Sequence, residues 1–411
     1  MNTPQDNDAS GTALATCPLG PPLEGTALYV HLPFCAAKCP YCDFFSVAGE
    51  GHDVDAMIDA ILSEAERRAP ANPRTVFFGG GTPSWLDTKT LERFLNGLDD
   101  LTGFRESAVE VTAECNPESL DLEKASCLTS LGVRRLSIGF QSLDAKTLEL
   151  FGRVHKVDDS FRAFEAARAG GAEAINIDMI YAAPDQTAEA WASELRRVLA
   201  LKPDHLAAYN LTYEPNTAFG KWLDEGRMSK TPDELELEMF ETVHRITKEA
   251  GLHAYEISNY ATPGQECTHN LNYWHNRAYV GIGPSAVSKI GRRRGGNKRS
   301  IPGYVKSTKS QTEIEWHEEL AGPARLAETW WLTLRLRAGV EPAAARRHAD
   351  WGSDPDRDPA VMVAQELSKV GLVEECNGRW ILTAAGLPLA DGVAAEFLSR
   401  TPKKAAELGL E

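Results

Sequence analysis

The sequence predicts an α/β protein whose core is a parallel sheet, either open or closed in part as a (β/α)6 barrel. Two observations carry that prediction. From residue 27 onward, six short apolar runs rich in β-branched residues alternate with amphipathic helical patterns. The glycines, cysteines and hydrogen-bonding residues collect just after those runs, not before them. Parallel strands need helical crossovers, so strand–helix units in series imply a parallel sheet. Six such units are too few to close an eight-stranded barrel.

The first strand is expected over residues 27–32 and runs into a loop carrying Cys35, Cys39 and Cys42, with a helix over 54–68 behind it. The second, 75–79, ends in Gly79-Gly80-Gly81-Thr82-Pro83 and leads to a helix over 88–99. Glycine there lets the backbone turn with positive φ or approach a ligand closely. The third strand, 109–114, ends in Glu114-Cys115-Asn116-Pro117. The fourth, 135–140, is followed by Gln141 and by helices over 144–150 and 158–169. The fifth, 174–180, carries Asp178 and ends at Tyr181, before a helix over 188–200. The sixth, 205–212, closes on Asn210, Thr212 and Tyr213, and a helix over 232–250 completes the series. Active sites of parallel barrels are assembled from the loops at the C-terminal ends of the strands. One mouth therefore receives the cysteines, the glycine run and several hydrogen-bonding side chains.

Outside the barrel, assigned to residues 25–255, residues 1–24 are rich in Pro, Gly, Thr and Asp without periodicity and are expected to be a disordered leader. Residues 256–320 read as a barrel extension. Residues 321–411 show helix patterns at 328–336 and 361–370, strand signals near 371–373 and 380–383, and a last helix. That order suggests a small α+β winged-helix-like domain. The formal charge of −16 argues against a nucleic-acid partner, so this domain is read as a cap or partner surface. No apolar run approaches the ~20 residues of a membrane span. Eight cysteines without a secretory signal read as a cytoplasmic set. The basic run from Gly291 to Arg299 is either a solvated loop or a site for carboxylates, which Arg grips bidentately.

The C-x-x-x-C-x-x-C spacing gathers three thiolates on one loop and supplies no fourth. Disulfides would need an oxidising compartment, and a zinc site would need a fourth ligand, for which His31 and Cys115 are the candidates. A four-iron cluster held by three cysteines keeps one iron open to a small molecule. Arg153 suits a carboxylate, and Asp178 suits ribose hydroxyls or an ammonium.

The cysteine loop, the glycine run and the spacing of Gln141, Arg153 and Asp178 together resemble the radical S-adenosylmethionine (SAM) enzymes. The similarity is to the branch that holds oxygen-independent coproporphyrinogen III oxidases and heme chaperones. It implies the partial, TIM-like (β/α)6 barrel and a [4Fe-4S] cluster on Cys35, Cys39 and Cys42. It also implies SAM bound by Tyr29, Phe34, Tyr41, Gly79, Gly80, Gly81, Thr82, Glu114, Gln141, Arg153, Asp178 and Val287, and an electron donor such as a flavodoxin or ferredoxin. Within the branch, Phe44 stands where the oxidases carry a further cysteine, and their ordered N-terminal extension is replaced by a short leader. His269-Asn270-Leu271-Asn272-Tyr273-Trp274 resembles the HNxxYW motif associated with heme in the chaperone group. That similarity implies heme near His269, Tyr273 and Trp274, and heme-accepting proteins as partners. Two positions depart from the chaperone pattern: Val287 replaces a histidine, and Ala182-Ala183 replaces Gly-Leu.

Overall fold

The computed structural model describes residues 25–352 and 358–400; the expected leader lies outside them. Six strands form the centre in sequence order: β1 (Ala27–Leu32), β2 (Thr75–Gly80), β3 (Glu110–Cys115), β4 (Arg135–Gln141), β5 (Ala174–Tyr181) and β6 (His205–Asn210). Each runs parallel to the next. Leu28, Val30, Val76, Val111, Leu136, Ile138, Ile177 and Leu206 are all fully buried. Such strands are covered on both faces, which is why they read as continuous apolar runs. The crossover helices are started by side-chain caps: Asp53 on Val54–Arg68, Asp87 on Thr88–Thr102, Asp144 on Ala145–Leu150 and Thr187 on Ala188–Leu199.

The sheet is larger than expected. After β6 it adds β7 (His253–Ala254) and β8 (Asn259–Ala261) antiparallel on one edge. On the other edge β9 (Tyr279–Ile282) pairs parallel with β1, Ala27 opposite Tyr279. Three antiparallel strands follow: β10 (Val287–Ile290), β11 (Arg293–Asn297) and β12 (Ile314–Glu319). The sheet is thus twelve-stranded, in the order β12-β11-β10-β9-β1-β2-β3-β4-β5-β6-β8-β7. The basic run that read as a loop or carboxylate site is largely strand β11, pinned between two neighbours.

A second, separate core forms beyond residue 325 around Leu326, Trp330, Val363, Trp380 and Phe397, with the Trp330 and Phe397 rings stacked at 5.2 Å. Its helices Gly322–Thr333, Pro342–His348 and Pro359–Lys369 precede a hairpin of β13 (Val373–Cys376) and β14 (Arg379–Leu382) and a last helix, Ala390–Arg400. Asn377 and Gly378 turn the hairpin with positive φ of 52° and 76°, as a two-residue turn of mirror-image type needs. Glu328 ties this unit to the sheet through Arg294 at 2.6 Å and Lys289 at 3.3 Å.

Candidate functional site

The cysteine loop hangs from the end of β1 and is clasped by the end of β2. Gly81 donates its N–H to the Leu32 carbonyl at 2.7 Å, and Thr82 to the Phe34 carbonyl at 2.8 Å. A Cβ on Gly80, whose φ is +99°, would lie 2.4 Å from the His31 ring, and one on Gly81 only 2.6 Å from the Leu32 carbonyl oxygen. The glycines are therefore required by the approach of two loops. On the far side, Gly152 lies against Pro40, and Tyr41 packs on Phe151 at 5.0 Å and Phe219 at 6.1 Å.

A run of hydrogen bonds links two of the three sulfurs. Thr82 Oγ1 donates to Cys35 Sγ at 3.4 Å and accepts from Asn116 Nδ2 at 2.8 Å. Asn116 Oδ1 accepts from Arg153 Nη2 at 2.6 Å, and Arg153 Nη1 reaches Cys39 Sγ at 3.6 Å. Gln141 ends β4 with a positive φ of 66°, at a bulge between β4 and β5, a strained setting for a non-glycine residue. Phe34 does not face this array: its ring packs between His52 and Trp85, and only its carbonyl takes part.

Beneath the loop, the barrel holds a polar cavity of about 330 Å³ lined by Tyr29, Glu114, Ser137, Asn176, Asp178 and His205, among others. Asp178 accepts from Ser137 Oγ at 3.0 Å and Asn176 Nδ2 at 2.7 Å. Asn176 Oδ1 is in turn bonded to His205 Nδ1 at 2.6 Å. Burial, and then the charge of Asp178, push the Glu114 carboxyl up to about 8; burial raises Asp178 as well. Two half-buried carboxyls share the cavity: Arg135 and Arg153 offset Asp178, while Glu114 faces Asp178 and, among the described residues, takes only the Gly80 N–H, so the cavity suits a ligand bearing positive charge. Ser137, Asn176 and Asn116 were not singled out from sequence. For Ser137 and Asn176 the signal was a polar side chain on an otherwise apolar strand, as in Asn176 and Asp178, which share one face.

A second cleft, of about 480 Å³, opens beside the first, and both are lined by Tyr29, Phe44 and Tyr273. Val287 lines this cleft and not the barrel cavity. His269, expected near heme, does not offer a free nitrogen to it. It is fully buried, with Nδ1 bonded to Thr75 Oγ1 and Nε2 to Tyr273 Oη, both at 2.8 Å. Burial lowers its pKa to about 3, so it is neutral and spoken for on both nitrogens. Trp274 stands apart, under the Arg335 guanidinium at 5.0 Å.

A family model described as the radical SAM superfamily matches residues 29–198. The chain is 34% identical over 378 residues to the heme chaperone HemW of Bacillus subtilis, covering 90% of this chain and 98% of that one. The chain belongs to the radical SAM superfamily. A HemW from Escherichia coli is 38% identical over 276 residues, covering 66% of this chain and 71% of that one. The fold matches the radical SAM enzyme coproporphyrinogen III oxidase (HemN) of Escherichia coli with a TM-score of 0.79, over 94% of this chain and 92% of that one, at 24% identity.

Radical SAM membership implies a [4Fe-4S] cluster and SAM, and the thiols fit the first. They are close enough for Cys39 and Cys42 to raise the Cys35 thiol, after burial. Yet among the described residues no three Cys, His, Asp or Glu side chains converge as a single metal ion requires. Zinc would draw its thiolates to about 3.8 Å of one another, given Zn–S bonds of about 2.3 Å; a four-iron cube spreads them wider. His31, a candidate fourth zinc ligand, is bonded instead to the Tyr29 hydroxyl at 3.1 Å and the Phe45 carbonyl at 2.7 Å. When bound, the cluster and SAM supply one-electron reductive chemistry at a sulfonium. The chain's own residues would orient and dry such groups: Thr82 and Arg153 donate to sulfur, Tyr41 packs over the loop, and Glu114 and Asp178 set the polarity of the cavity.

Proposed function

We propose that this protein is a cytoplasmic heme chaperone, one that binds heme and passes it to acceptor proteins with a radical SAM barrel as its platform. The observation that carries the reading is the likeness to HemW over nearly the whole of both chains, through the HNxxYW segment and the C-terminal domain. Phe44 agrees with it: the cysteine loop there presents an exposed ring, 70% accessible, to two cavities. In this reading Cys35, Cys39 and Cys42 hold the cluster, while Tyr29, Gly80, Thr82, Glu114, Gln141, Arg153 and Asp178 surround SAM. A flavodoxin- or ferredoxin-like donor reduces the cluster. The HNxxYW segment walls the heme cleft through Tyr273.

The test is anaerobic reconstitution followed by hemin titration, then mixing with an apo-cytochrome and following its spectrum. Saturable binding and transfer are expected. Decarboxylation of coproporphyrinogen III in the presence of reductant and SAM would overturn the proposal.

A further inference from the structure

We infer that heme seats in the cleft between the cysteine loop and helix Gly322–Thr333, and that Tyr279, not His269, is placed to ligate its iron; this rests on the heme-binding reading above. The walls of the cleft are aromatic, with Tyr29, Phe44, Tyr273, Tyr279 and Trp331 facing one space. Flat conjugated ligands are held by such rings. The cleft is partly open to solvent, so the edge of a macrocycle carrying carboxylates can remain in water.

The cations at its rim are not equivalent. Lys289 is buried and held by Glu328 at 3.3 Å and the Asn276 carbonyl at 3.0 Å. Arg294 lies between Glu318 and Glu328, each at 2.6 Å. Arg299 is different: its side chain is 54% exposed, it donates to the Asp43 carbonyl at 2.8 Å, and it stands 4.0 Å from the Asp43 carboxylate. Such a loosely held guanidinium can take up a propionate.

The ligand assignment follows by asking which atoms in the cleft are uncommitted. His31 Nδ1 is bonded to the Tyr29 hydroxyl, which is thereby occupied, and His31 Nε2 to the Phe45 carbonyl. The Tyr273 hydroxyl is held by His269. Tyr279 lines the cleft, its ring fixed edge-on by Tyr273 at 4.7 Å, and its hydroxyl has no hydrogen-bond partner among the described residues. Tyrosine is an established class of heme ligand. Ligation of ferric heme forms one iron–oxygen bond and releases the phenol proton to solvent; iron stays ferric.

The experiment titrates hemin into the wild-type chain and into Tyr279→Phe, His269→Ala and Arg299→Glu, with resonance Raman spectra of each saturated complex. The wild type is expected to show tyrosinate modes that vanish in Tyr279→Phe, whose affinity falls about tenfold or more, about 1.4 kcal/mol per tenfold. Arg299→Glu should weaken hemin severalfold and leave hemin dimethyl ester, with its propionates capped, unchanged. Tyr279→Phe differs by one oxygen and is checked for folding by circular dichroism; His269→Ala, if folded, keeps the tyrosinate modes. Saturable binding with an unaltered spectrum in Tyr279→Phe overturns the ligand assignment alone. Absence of saturable binding by the wild type overturns the heme reading itself.

Discussion

Replacing Glu114 with Gln should remove a pH dependence of stability that the wild-type chain shows between about pH 4.5 and 8. Glu114 is half-buried at the barrel cavity, its Oε2 accepting the Gly80 N–H at 3.1 Å, and its carboxyl is raised from 4.5 to about 8 by desolvation and by Asp178. A raised carboxyl keeps its proton in the folded state after the unfolded chain has lost it. Stability from this group is therefore full below about 4.5 and falls as pH rises toward 8. At 1.36 kcal/mol for each pH unit of difference, the loss is about 5 kcal/mol at most. Gln keeps an oxygen for Gly80 and cannot ionise. His31 and His269, lowered by burial to about 4 and 3, act with the opposite sign but are present in both proteins. Urea unfolding of the cluster-free proteins at pH 5, 6.5 and 8 measures the difference directly. If the wild-type and variant stabilities run parallel across that range, Glu114 ionises normally and the argument for a cation-seeking cavity fails.

Asn116→Ala should cost about 1–3 kcal/mol, because it removes one partner each from the Thr82 hydroxyl and the Arg153 guanidinium, leaving them Cys35, Cys39 and the Gly139 carbonyl. The same variant should retain less iron per chain after anaerobic reconstitution. Gly80→Ala should destabilise by more than about 1 kcal/mol, since its φ is +99° and the added methyl meets the His31 ring at 2.4 Å; a thermal melt reads this. Trp330→Ala should cost about 3–5 kcal/mol by emptying the centre of the C-terminal core. Proteolysis of that variant should cut after residue 320 while leaving the barrel intact.

The sequence was most legible where one physical rule dominated. β1 and helix Val54–Arg68 lie where the apolar periodicity placed them. Helix Leu122–Ser130 escaped because its Ser, Cys and Thr residues weaken the helical signal, and the Asp121 cap compensates only in the folded chain. Strands β9 to β12 escaped for another reason: segments such as Arg293–Asn297, basic and glycine-rich, become strand only by pairing with neighbours. The hairpin strands were displaced, although Asn377-Gly378 was the stronger marker.

At the site, the residues with spaced motifs were legible, since thiolates and glycines carry their constraint locally. Asn116 was not, because its purpose exists only when β2, β3 and β4 lie side by side and bring Thr82 and Arg153 to it. His269 shows the converse failure: a motif marks the residue, but Thr75, which occupies its Nδ1, lies far away in the chain.

The pairing of β9 with β1 also governs when the protein can be finished. Ala27 stays without its second neighbour until the ribosome has delivered Tyr279, and closing so long a loop is slow and entropically costly. The strand from which the cysteine loop hangs is thus bare along one side during most of synthesis, an open edge inviting misassembly. A product shortened ahead of Tyr279 would keep all three thiols yet lack the strand that flanks β1 on that side.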